Sequence, residues 1–229
     1  MKDSIFLKLA VEYPQLYLNP DTDTQDMYRA VTLRGEEPEA KSLAHYTGDE
    51  ADRYETVDTP VGAVRVVTIG NRHDFELVLR GLLAAKNGPD QEIPKSQGAS
   101  MLTVFNWPRI HAHLDQFPKE ERDAEFKRFT SVKENYTEKI IILSRGYYSN
   151  VSADVMGLSE KEWLVYSDKI RRYHELTHVI CRCSYPGNIM EIRDELIADA
   201  VGLYAAYGYF EPEMIKKFLG IDGEAMSVS

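Results

Sequence analysis

The chain has 229 residues, enough for one large domain or for a core with a smaller lobe. Its 43% hydrophobic and 28% charged residues match an ordinary globular protein, so disorder does not dominate. A net charge of −10, with Lys and Arg scattered apart from short pairs such as Arg171-Arg172 and Lys216-Lys217, argues against binding to a nucleic-acid backbone or an anionic membrane surface.

Taken from the N-terminus, the first apolar stretch is broken by Lys8 and Glu12, and no small-residue cleavage site follows. No secretion signal is expected. No segment nears the ~18 uninterrupted apolar residues of a membrane span, so the expected compartment is the cytoplasm. Residues 21–54 are polar and acidic, with Gly35, Pro38 and Gly48 as breakers, and read as loops with at most short helices. Residues 61–69 are β-branched and read as a strand ended by Gly70-Asn71. Asn71 is placed to cap a helix through about residue 86, with Phe75, Leu79, Leu82 and Leu83 inward.

Residues 101–105 read as a short strand. The segment Phe105-Asn106-Trp107-Pro108 reads as a strand end and helix cap, and the helix it opens carries Ile110, Leu114 and Phe117. A further helix is expected over about 118–129. The Ile-Ile-Ile-Leu run makes residues 139–144 a second firm strand.

The rest is helical. Ser159 and Glu162 suit a capping box. The helix they open continues through Trp163, Ile170 and Tyr173 to about Cys183, with an interruption expected near Ser167. Tyr185-Pro186-Gly187-Asn188 breaks the pattern. A second helix is expected over 189–207 with Gly208 as its stop, and a short one over 212–219. The expected fold is therefore α+β: a mixed N-terminal part with a small sheet, then a helical C-terminal third. Within a single domain over 1–229, residues 1–150 form the mixed lobe and 151–229 the helical lobe.

The chemistry sits in Tyr173-His174-Glu175-Leu176-Thr177-His178. On a helix, residues four apart lie on one face about 6 Å apart along the axis, so both imidazoles can meet one ion. Glu175 flanks that ion and can reach a water beside it. Three fixed residues match by chance on the order of 1% of the time in a chain this long. The residues around the three are uncharged, and Val179-Ile180 continue an apolar helix. A catalytic zinc site needs a third protein ligand and an open position. The next helix offers Glu191, Asp194, Glu195 and Asp199. Glu195 and Asp199 are four apart on one face among small and apolar residues, where unpaired carboxylates are costly. Glu191 and Asp194 better suit a solvated stripe.

The run His174 to His178 followed by Glu195-x-x-Ala198-Asp199 resembles the gluzincin branch of zinc metallopeptidases, the thermolysin-like clan, over roughly residues 160–207. The resemblance implies a zincin-like fold and one zinc ion per chain held by His174, His178 and Glu195. It implies Glu175 as general base and Asp199 as the acid orienting His174. In that clan a strand before the metal helix borders the cleft and pairs with an extended substrate. Residues 139–144 are placed to be that strand, and 101–105 are the other choice. Candidate oxyanion donors are Arg145, Tyr147, Tyr148, Tyr204 and Tyr207.

Other features weigh less. His111 and His113 would form a metal pair on a strand, but after Pro108 a helix is expected, on which the rings diverge. Cys181 and Cys183 are too close to staple distant segments and read as packing residues. The function expected is a zinc-dependent hydrolase, a metallopeptidase acting on a peptide or protein. The alternative is a catalytically silent zincin-like regulatory or binding protein.

Overall fold

A four-stranded sheet organises the chain. Its strands are β1 (Arg53–Thr59), β2 (Gly62–Ile69), β3 (Ala99–Phe105) and β4 (Thr137–Ser144), lying in the order β1-β2-β4-β3. β1 and β2 form an antiparallel hairpin, β2 runs parallel to β4, and β3 runs antiparallel to β4. The computed structural model describes residues 4–38, 41–88, 90–185 and 191–218. The helices are α1 (Ile5–Glu12), α2 (Gln25–Thr32), α3 (Arg72–Asn87), α4 (Trp107–Leu114), α5 (Arg122–Thr130), α6 (Glu160–Ser184), α7 (Glu191–Tyr207) and α8 (Pro212–Phe218).

Alternation along the strands sends side chains to two cores. Ile140 and Ile142 join Val67, Ile69, Leu102 and Val104 on one face, where Phe6 and Leu9 of α1 and Phe75, Val78 and Leu79 of α3 cover them. Ile141 and Leu143 join Val64 and Val66 on the other, where Leu176 and Val179 of α6 cover them. Burial on both faces explains why β4 is an unbroken apolar run rather than an alternating one. Each such buried side chain stabilises the fold by roughly 1.5–3 kcal/mol. The two that α6 contributes flank His178 in sequence, so the sheet fixes the height and rotation of the histidine helix.

The caps follow the sequence. Asn71 accepts from the backbone of His73 and Asp74 at the start of α3, and Asn106 accepts from Arg109 at the start of α4. Ser159 and Glu162 form the full capping box of α6, an arrangement whose loss typically costs about 1 kcal/mol. Gly208 ends α7 with φ +80°, a conformation glycine adopts without steric cost. Of the expected segments, the break at 186–188, Ile189 and Leu219 lie outside the described residues. No helix among the described residues is long and apolar enough to cross a membrane.

Several expectations are corrected. α6 is not interrupted at Ser167, which is buried and accepts a hydrogen bond from the Tyr148 backbone at 2.9 Å. β1 has a polar sequence, Arg53-Tyr54-Glu55-Thr56-Val57-Asp58-Thr59, and forms because it pairs with β2 over its whole length. α1, for which the sequence carried no expectation, buries Ile5, Phe6, Leu9 and Ala10. Finally, β4 cannot receive a substrate strand, because β2 and β3 occupy both its edges; the sheet edge on that side is β3.

Candidate metal centre

α6 and α7 pack side by side, and Gly202 sets how closely. A Cβ there would lie 2.7 Å from the carbonyl oxygen of Ile170. With hydrogen alone at that point, the acids one and two turns earlier on α7 reach the imidazoles one and two turns later on α6. Trp163 anchors the start of α6 by donating to the Val151 carbonyl at 2.7 Å. Below it, Ile170 and Leu203 pack in a third core with Tyr148.

The histidines meet as the sequence implied. Nε2 of His174 and Nε2 of His178 are 2.9 Å apart. The Glu195 carboxylate lies 3.3 Å from the first and 3.5 Å from the second. Ligand atoms on a tetrahedral ion with bonds of about 2.0–2.1 Å are about 3.3 Å apart, so the three separations suit one small cation. Glu195 is exposed, with 58% of its side-chain surface open, while the histidines are 13% and 6% exposed. The centre therefore opens to solvent on the Glu195 side.

Each imidazole is gripped from behind. Nδ1 of His174 is 2.9 Å from Asp199 Oδ1, and Nδ1 of His178 is 2.8 Å from Asp194 Oδ2. A carboxylate only accepts, so each Nδ1 carries a proton, and when both rings are neutral each Nε2 points a lone pair at the other. Two lone pairs facing at this distance repel unless a proton or a metal ion lies between them. This is the arrangement in which metal-binding histidines are held. The residues present fit a zinc ion.

Asp199 is the acid that the resemblance pairs with His174. Asp194 corrects the expectation of a solvated acid: it is 6% exposed, and it holds His178. The side chain of Glu191 lies outside the described residues. Asp194 escaped the sequence because it sits beside Arg193 in the polar start of the helix, away from the apolar neighbours that marked Glu195 and Asp199. The spacing of Asp194 and Asp199, five residues apart, does place them at different heights, one against each histidine.

Tyr148 completes the support. Its hydroxyl donates to Asp199 at 2.6 Å and lies 3.0 Å from His174 Nδ1. The His174 N–H is thus shared between a carboxylate and a phenol oxygen. Burial first, and then the charge of Asp199, push the Tyr148 phenol far above its usual pKa, so it stays a neutral donor. It serves the back of His174 rather than an oxyanion. Two left-handed residues, Ser149 and Asn150 (φ 49° and 56°), follow it and turn the loop away. Of the other expected donors, Tyr207 stacks on Tyr166 and Tyr204 is exposed, while Tyr147 and Arg145 line a cavity beside His174.

The electrostatics favour a cation. Burial disfavours charge on His174, but the bond and charge of Asp199 and the charges of Glu175 and Glu195 outweigh it, so its pKa is raised. Burial would raise Asp199, yet its bonds to His174 and Tyr148 hold it below the ordinary range. Burial pushes Glu175 up, opposed by the two histidines and aided by Glu195. The remaining sequence candidates separate as expected on a helix: His111 Nε2 lies 2.6 Å from the Thr32 carbonyl oxygen, and His113 Nε2 lies 2.6 Å from Glu125. Cys181 and Cys183 are free thiols that do not join the centre, and Cys183 meets Lys139 at 2.9 Å.

A family model described as a family of unknown function (DUF7005) matches residues 2–225. The chain belongs to that family. No curated protein and no solved structure matches the chain. Membership in DUF7005 carries no activity with it, so the chemistry rests on the side chains themselves. Those show a mixed sheet followed by two long helices that bring together a cluster able to hold one metal ion.

Proposed function

We propose that this protein is a zinc-dependent metallopeptidase of gluzincin type. The observation that carries the proposal is the convergence of His174, His178 and Glu195 on one point, with Asp199 and Asp194 gripping the histidines from behind. A zinc ion held there would act as a Lewis acid on a carbonyl and lower the pKa of water towards about 7. Glu175 follows the first histidine and lines the cavity beside it without joining the three-residue cluster. In this reading it takes a proton from the attacking water and delivers it to the leaving amine. Tyr148 and Asp199 keep the Nδ1 proton of His174 in place throughout. Gly98 and Ala99, at the start of edge strand β3, line the same cavity. An extended peptide hydrogen-bonded to that edge would bring a scissile bond to Glu175.

The test is elemental analysis of protein purified without chelator, together with the Glu175→Gln variant. One zinc per chain is expected in both. Hydrolysis of a diverse peptide library should be measurable for the parent and nearly absent for the variant. Absence of zinc, with none taken up on titration, overturns the metal assignment. Full activity in Glu175→Gln overturns the assignment of the base.

A further inference from the structure

The cavity that His174 and Glu175 border has a volume of about 450 Å³, and its charge is opposite to that of the chain. Arg72, Lys95, Arg145 and Arg171 line it, and among the described residues Glu175 is its only acid, although the chain as a whole carries −10. The four cations are not equivalent. Arg72 is committed to Glu76 and to the carbonyls of Pro94 and Gln97. Arg171 is 6% exposed and donates only to the carbonyls of Ser144, Gly146 and Tyr147. Among the described residues no carboxylate pairs with it. Lys95 and Arg145 are exposed, and their side chains have no hydrogen-bond or ion-pair partner among the described residues. Arg145 also borders a neighbouring cavity containing Glu50 and Asp168, but Asp168 is paired with Arg53 at 2.7 Å.

The hydrogen-bond acceptors of Arg171 are all neutral, and the charges of Asp168 and Glu175 act on it without a direct pair and do not make up for its burial, a cost that an anion facing it would relieve. Two uncommitted cations beside it, in a cleft that also holds the proposed base, supply the remaining bonds such an anion needs. We infer that this cavity receives a carboxylate of the peptide substrate, either the side chain of a Glu or Asp residue or a free C-terminus. Arg145 and Lys95 are the groups free to bond it, and Arg145 can do so through two parallel N–H bonds. Arg171 is the fixed charge in the wall. The cluster also steers acidic peptides towards a chain that elsewhere repels them. This specificity rests on the metallopeptidase reading, yet it is tested by binding alone.

The experiment uses the Glu175→Gln protein, so that bound peptides survive. Four synthetic peptide libraries are passed over it, differing only in one fixed Glu or Gln and in a free or amidated C-terminus. Retention of one carboxylate-bearing class should exceed its neutral counterpart about tenfold, the size of one charge-assisted hydrogen bond. Which class is retained identifies the source of the carboxylate. Adding Lys95→Gln and Arg145→Gln should abolish the preference while zinc content and thermal stability stay unchanged, since both side chains are exposed. Equal retention of the four libraries, or none, overturns the inference, and so does a preference that survives the double variant. A cleavage assay adds one more arm: if Arg145→Gln slows acidic and neutral peptides by the same factor, Arg145 serves the reacting carbonyl and not a substrate carboxylate. A protein that selects acidic peptides but holds no zinc would sink the metallopeptidase reading and leave the carboxylate site standing. Zinc without selection would do the reverse.

Discussion

Two polar networks are built into this molecule, one at the end of the sheet and one between α6 and α7, and they close differently. At the sheet, Arg65 bonds Glu138 at 2.9 Å and Glu12 at 3.4 Å, and Arg109 bonds Glu138 at 3.1 Å. Tyr13 and Asn106 donate to the same Glu138, and Tyr54 donates to Glu12. Two acids meet two guanidiniums there, and the neutral donors take up the remaining oxygens. Between the helices, Glu175, Asp194, Glu195 and Asp199 surround two imidazoles; among the described residues Arg182 ion-pairs with one of these acids, 3.6 Å from Asp194. The first network balances its two acids with two guanidiniums of its own and holds α1 and α4 to the sheet. The second directs acceptors at a common point, where no Lys or Arg among the described residues ion-pairs with Glu195 or Asp199. That contrast separates a polar network that builds a fold from one able to hold a metal ion.

The contrast breaks most visibly at the ligands. His178→Ala or Glu195→Gln should weaken zinc binding by more than about 100-fold, beyond the range typical of supporting residues. Glu191→Gln should leave it unchanged. A reversed ranking of the two glutamates, read by zinc titration against a competing chelator, would remove Glu195 from the centre. Zinc should also stabilise the protein, by about 4 kcal/mol at a free concentration 1,000 times its Kd. In the sheet network, Glu138→Gln should lower stability equally with and without zinc. Thermal unfolding at fixed zinc concentrations checks both statements.

Next in size come the groups behind the histidines. Asp194→Asn and Asp199→Asn should each cost about 10–100-fold in zinc affinity, since each orients one imidazole and fixes its proton. Asp194 was the acid whose role the sequence did not reveal, so its variant is the more informative. If Asp194→Asn binds zinc as tightly as the parent, the grip on His178 is structural and the symmetry of the centre is lost.

How much was legible follows from where each partner sits. His174, Glu175 and His178 share two turns of one helix, so their geometry is written in their spacing. Glu195 and Asp199 are legible by the same rule on the next helix. Asp194 and Tyr148 are not, because their roles depend on how α7 and the loop after β4 are placed against α6. That placement is set by Gly202, by the buried Ser167 and Arg171 that hold the loop, and by the left-handed Ser149 and Asn150. The strands show the same division. The apolar run of β4 announces a strand buried on both faces, which is itself a sign of a central position, and of the two strands the resemblance offers as a cleft edge only β3 lies at an edge of the sheet. β1 is invisible to hydrophobic pattern because pairing with β2 makes it, not its own composition.

Gly202→Ala tests the interhelical spacing directly. Its Cβ would meet backbone, not a movable side chain, so α7 must shift away from Ile170. Overpacking of this kind costs typically 1–3 kcal/mol, and zinc affinity should fall alongside stability. An alanine variant with unchanged zinc affinity would show that the helices can slide without disturbing the centre.

The smallest expected effect belongs to the sheet network and is a pH dependence. Burial would raise the Glu138 carboxyl, but the bonds from Tyr13 and Arg65 and the charge of Arg65 outweigh it, so its folded pKa lies below the ordinary value of 4.5. A group whose pKa is depressed by folding contributes stability that is fully present above the unfolded value and is lost as pH falls through the folded one. Glu138 should therefore support the fold at neutral pH and give up that support below about pH 4.5. Because the group is partly solvated, screening limits the contribution to about 1 kcal/mol or less. Glu138→Gln should lower stability at neutral pH and flatten the slope of stability against pH in the acid range. Measured with zinc chelated, so that titration of the histidine centre does not overlap, parent and variant should converge as pH falls. If they remain parallel down to acid pH, the Glu138 charge contributes nothing, and the sheet network holds by its neutral hydrogen bonds alone.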